Sequence, residues 1–100
     1  MWNPQLSITE ADAVLNAKNG AVKSIRIVKN EDSFVVLLQL AWRKDELFLC
    51  TTRNNKHPRE FKHIGRLLEY VEENYPGIDR VELVLNEPAI SEAMKEKQPG

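Results

Sequence analysis

Residues Phe34 to Ala41, FVVLLQLA, are apolar at seven of eight positions. A run this short cannot cross a bilayer, which takes roughly 20 apolar residues, and a half-exposed strand would alternate. The sequence therefore predicts a strand covered on both sides, with Phe34, Val36, Leu38 and Leu40 on one face and Val35 and Leu37 on the other. Such a strand must be central in its sheet, with partners along both edges and layers above and below.

The flanking residues supply the partners. Upstream, Ile25 and Ile27 alternate with Ser24 and Arg26 from Ala21 onward, and the polar cluster Asn30-Glu31-Asp32-Ser33 turns the chain into a hairpin. Downstream, Arg43-Lys44-Asp45-Glu46 turns it again, and Leu47 to Thr52 form a third strand, with Leu47 and Leu49 opposite Phe48 and Cys50. Three antiparallel strands result.

The layers are helical. Ile64, Leu67, Leu68 and Val71 recur at i, i+3, i+4 and i+7, so one face of a helix points inward while Arg66, Glu69, Glu72 and Glu73 face water. Pro76-Gly77 ends that helix, and Val81, Leu83 and Leu85 read as a fourth strand with Glu82 outward. Near the start, Ser7 and Glu10 have the spacing of a capping box. A helix from Ile8 to about Lys18 follows, with Ile8, Ala11, Val14 and Leu15 inward and Asn19-Gly20 as its stop. Pro88 opens a short last helix to about Lys97, with Ile90, Ala93 and Met94 inward. A strand–helix–strand connection crosses over to a parallel strand. The expected fold is α+β: a four-stranded mixed sheet with a β-β-β-α-β core in order 3-2-1-4, an N-terminal helix and a short C-terminal helix. With 100 residues, it forms a single domain.

Charge narrows the function classes. The formal net charge is -1, so no global field draws in nucleic acid or anionic lipid, and an electrostatic function has to be local. One segment qualifies: between residues 51 and 66 stand Arg53, Lys56, Arg59, Lys62 and Arg66 against Glu60 alone, whereas residues 67 to 87 carry Glu69, Glu72, Glu73, Asp79, Glu82 and Glu87 against Arg80. Bases at the start and acids at the end of a helix oppose its dipole, so stability does not account for the arrangement. The basic side, together with Trp42 as a stacking platform beside Arg43 and Lys44, is a candidate site for anions or nucleic acid. A solvated loop is the plainer reading of the same charges.

Other chemistry has little support. Cys50 is the single cysteine, so no intramolecular disulfide forms, and the start MWNPQLSITE lacks the regions of a secretory signal, which makes the cytoplasm the expected compartment. His57, His63 and Cys50 lack the spacing of a metal site. There is no Gly-rich phosphate loop, no HExxH and no serine in a nucleophile elbow, and Glu72 and Glu73 point apart on their helix. No cofactor and no catalysis are expected. The leading expectation is a non-enzymatic accessory protein that binds a protein partner or itself through a sheet edge or the acidic side of the main helix. The alternative is a nucleic-acid-binding domain using residues 53–66.

Three resemblances bear on this. The order helix, strand, strand, strand, helix is similar to that of double-stranded RNA-binding domains, although a fourth strand follows here. REFKHIGRLLEYV, Arg59 to Val71, resembles the phrase that follows the third strand in arm-binding domains of phage-type integrases. From Leu47 to Leu85, the succession of strand, basic loop, R-x-F-K (Arg59, Phe61, Lys62), helix, glycine and strand resembles small accessory proteins, some called partition-associated, of proteobacterial plasmids and integrative elements. That last resemblance implies an accessory role on a mobile element and no defined biochemical activity.

Overall fold

In the computed structural model, the apolar run becomes the middle strand of a five-stranded mixed sheet. The structure describes residues 6–51, 57–88 and 90. Among them the elements are β1 (Ser7–Thr9), α1 (Glu10–Lys18), β2 (Val22–Asn30), β3 (Ser33–Leu40), β4 (Glu46–Cys50), α2 (Ile64–Asn74) and β5 (Glu82–Val84). The sheet order is β1-β4-β3-β2-β5. β3 is antiparallel to β2 and β4, while the edge strands β5 and β1 run parallel to β2 and β4 respectively.

The four expected strands keep their expected order, 3-2-1-4 being β4-β3-β2-β5, but the sheet has five strands and not four. The additional strand is β1, whose residues Ser7, Ile8 and Thr9 pair with Phe48, Leu49 and Cys50. It displaces the expected helix start. Thr9, not Ser7, is the N-cap, its hydroxyl accepting from the Asp12 amide at 3.2 Å. Moving the start shifts the buried face of α1 to Ala13 and Ala17, while Ala11 and Leu15 are exposed. Two alanines let the helix lie close to the sheet. Gly20 ends α1 as expected, with φ +72°, a conformation glycine adopts without a side-chain clash.

The hairpin between β2 and β3 is tight, with Asn30 opposite Ser33 and Glu31 left-handed at φ 55°. At the other end of β2 the register slips between Val22 and Ser24, leaving Lys23 as a bulge. The expected last helix lies almost wholly outside the described residues, of which only Pro88 and Ile90 fall in it.

Pleating separates two cores. On one face, Ile25, Ile27, Val36, Leu38, Leu40, Leu47 and Leu49 meet Ala13 and Ala17 of α1, Leu67 and Val71 of α2, and the buried rings of Phe61 and Tyr75. On the other, Val28, Val35, Leu37 and Phe48 pack with Ile90. β3 is thus covered twice, as its composition requires. On the second face Arg26 reaches across β3: its Nε and Nη2 donate to Glu46 of β4 at 2.9 and 2.7 Å, and its Nη1 donates to Glu87 at 2.6 Å. Those bonds, Glu46 first, hold the guanidinium above its ordinary pKa, and they fasten the segment bearing Ile90 against the sheet.

Candidate functional site

The basic segment returns to the sheet instead of hanging free. Pro58 bridges to Cys50, and the Arg59 amide donates to the Leu49 carbonyl at 2.8 Å. Phe61 and Phe34 exchange two backbone hydrogen bonds of 2.8 and 2.7 Å. These bonds turn Arg59 inward. Its guanidinium stacks 4.3 Å from the Phe61 ring centre and 5.1 Å from that of Tyr70, and hydrogen-bonds Glu10. The same Glu10 oxygen accepts from the Tyr70 hydroxyl at 2.9 Å, and the Tyr70 and Tyr75 hydroxyls lie 3.4 Å apart. Burial is the main cause that pushes both phenols above their usual pKa. Arg59 therefore ties α1 to α2, with its charge balanced by Glu10 and its plane held by two rings.

Of the other candidates, Lys62 and Arg66 line an open cleft of about 320 Å³ together with Arg59, Phe61 and Tyr70. Lys62 and Arg66 are exposed at the start of α2, whose first turn has no acid, and Lys62 lies 3.7 Å from Asp32. Arg53 and Lys56 lie outside the described residues. Glu60 accepts from Ser33 Oγ at 2.7 Å and lies 3.1 Å from His57. Trp42 follows the far end of β3 from Phe34 and Phe61, and at a rise of roughly 3.3 Å per residue the strand separates them by more than 20 Å. Trp42 and residues 59–66 do not form one surface.

Cys50 is buried at the end of β4, its thiol donating to the Ile8 carbonyl at 3.3 Å, and burial pushes its pKa up. Among the described residues no three His, Cys, Asp or Glu side chains are grouped to hold a metal ion. No helix among them is long and apolar enough to cross a membrane.

The β5 edge carries a feature that alternation in the sequence did not reveal. Val81, Leu83 and Leu85 read as an inward row, yet Val81 is half-buried while Leu83 and Leu85 are 46% and 68% exposed. Leu83 pairs with Ile27 and so faces the helical side of the sheet. α2 covers the middle of that side with Leu67 and Val71 but does not extend over its edge. Leu68, expected inward, is 39% exposed. Between α2 and the segment leading into β5 an open cleft of about 380 Å³ is lined by Leu68, Val71, Ile78 and Val81, with Glu72, Asp79 and Arg80 at its rim. Glu82 and Glu69 are exposed close by in sequence. The edge is apolar at its centre and predominantly acidic around it, Arg80 being the one base between Leu67 and Glu87.

No protein-family model matches the sequence, and neither the curated proteins nor the solved structures include a significant match.

Proposed function

We propose that this chain is a non-enzymatic interaction domain that receives an extended segment of a partner protein along β5. The observation that carries the reading is the outer edge of β5, unpaired among the described residues, with Leu68, Leu83 and Leu85 exposed beside it. An edge strand offers a row of backbone donors and acceptors to an added strand, and alternate side chains of that strand fall on one face. Here that face holds leucines, and the acids around it favour lysine or arginine at the flanking positions. The partner segment is therefore one that alternates β-branched and basic residues. A second copy of the same edge would bring Glu82, Asp79 and Glu72 against their equivalents, which like-charge repulsion disfavours. The resemblance of Leu47 to Leu85 to partition-associated accessory proteins supports the same class of role.

The test uses a synthetic peptide alternating valine and lysine, with amide hydrogen exchange read residue by residue. Binding should slow exchange in Glu82–Val84, and Leu83→Ala should weaken it by about 1 kcal/mol, the order expected for half a leucine side chain. Light scattering should give a monomer across a concentration series. A dimer abolished by Leu83→Glu, with no peptide binding, would replace the partner with a second copy.

A further inference from the structure

Trp42 is 65% exposed, an unusual placement for the largest apolar side chain, and it is held in position: its Nε1 donates to Asn16 Oδ1 of α1 at 3.1 Å. On one side of the residue lies a cleft of about 280 Å³ whose lining includes Lys23, Gln39, Arg43 and Lys44 and contains no carboxylate. Two features of the backbone build it. The register slip at the start of β2 leaves Lys23 as an extra residue opposite the end of β3, the kind of bulge that re-aims a side chain. Gln39 Nε2 donates to the Lys44 carbonyl at 2.9 Å, closing the turn that carries Trp42, Arg43 and Lys44. Arg43 leans on Asp45 at 4.0 Å. Among the described residues Lys23 and Lys44 enter no ion pair.

We infer that this cleft binds nucleotides, the base stacking on the Trp42 indole and the phosphate lying between Lys23 and Lys44. The indole offers a planar surface that accepts any base, and its hydrogen bond to Asn16 lowers the entropy cost of ordering it on binding. Two ammonium groups on a cleft whose lining holds no carboxylate complement a phosphate. Lys23 also borders a cleft that holds Asp79, Arg80 and Glu82 at the start of β5, but the site uses neither the β5 leucines nor residues 59–66, and a readout at Trp42 tests it independently of the interaction domain proposed above.

The chemistry is common to free mononucleotides and to single-stranded nucleic acid, and one experiment distinguishes them. In a Trp2→Phe chain Trp42 is the only tryptophan, so its fluorescence reports contact with the indole. Thymidine monophosphate, a short oligothymidylate and inorganic phosphate are titrated in turn at low salt, and anisotropy of a labelled oligothymidylate gives affinities for the variants. Saturable quenching by the mononucleotide assigns the site to free nucleotides. Quenching by the oligonucleotide alone assigns it to a strand. In either case Trp42→Ala should weaken binding by about tenfold or more, within the range for loss of one stacked base. Lys23→Glu with Lys44→Glu, both at exposed positions, should abolish binding while leaving the circular dichroism spectrum unchanged. If the oligonucleotide is the ligand, Lys23→Gln with Lys44→Gln should flatten the dependence of log affinity on log salt by about 0.7 per lysine. Absence of quenching by either nucleotide, binding indifferent to the paired lysine substitutions, or binding only to vesicles of anionic lipid would overturn the inference.

Discussion

At the scale of single residues, the most consequential placement is Arg59. A count of charges assigns it to a basic surface, whereas the structure sets it between Phe61 and Tyr70 with Glu10 as counter-ion. The sequence does hold a signal: Arg59 and Phe61 alternate along one extended stretch, and Tyr70 lies on the helix that follows. What it lacks is the distance from Glu10, which precedes Arg59 by 49 residues. Charge runs are local sums and cannot register a partner that far away. The same cluster sets a pH limit. Tyr70 and Tyr75 have pKa values raised in the fold, so the native state retains protons that the unfolded chain releases from about pH 10 upward. Their contribution to stability is complete below that point and is lost as pH rises toward the folded values. An alkaline titration followed by tyrosinate absorbance should show two phenols ionising only as the fold melts, and Tyr75→Phe should leave one.

At the scale of elements, legibility followed the number of residues that repeat a pattern. β3 and α2 each present a long apolar periodicity, and both were readable, although the exposure of Leu68 was not, because it depends on where the sheet beneath the helix ends. β1 has three residues, too few to show a period, and its Ser7 with Glu10 of α1 imitates a capping box two residues before the true N-cap, Thr9. Lys23 likewise reads as an ordinary strand residue, because a bulge has no signature in side-chain type. Backbone conformation at two turns gives a pair of opposite expectations. Gly20, at φ +72° with open space around it, should lose about 1 kcal/mol on replacement by alanine, since the cost is torsional and not a clash. Glu31, at φ 55°, already bears that cost, so Glu31→Gly should gain about 0.5 kcal/mol after the added freedom of the unfolded chain is deducted. Chemical denaturation of the two variants checks both signs.

At the scale of the whole molecule, the sheet is covered across the middle of both faces, and among the described residues its edge strands β1 and β5 have no outer partner. On the helical face α1 and α2 cover the middle strands and leave Leu83 of β5 exposed. The opposite face is held by a polar clasp, in which Arg26 gathers Glu46 and Glu87 above the apolar group of Val28, Val35, Leu37 and Phe48. Replacing Arg26 by alanine would leave two half-buried carboxylates facing each other and should cost about 2 kcal/mol. Glu87→Gln should cost about 1 kcal/mol, since a neutral amide accepts a weaker bond. It should also speed hydrogen exchange at the Ile90 amide, which bonds to the Glu87 carbonyl at 3.0 Å. Both outcomes are read by denaturation and exchange on the same samples.

Because β1 pairs with β4, residue Ser7 finds its ladder partner Phe48 forty-one positions later in the chain. During synthesis the ribosome therefore delivers this strand well before its partner strand exists. The β2–β3–β4 meander, joined by short turns, can zip up first, and β1 docks onto a surface that its successors have already built.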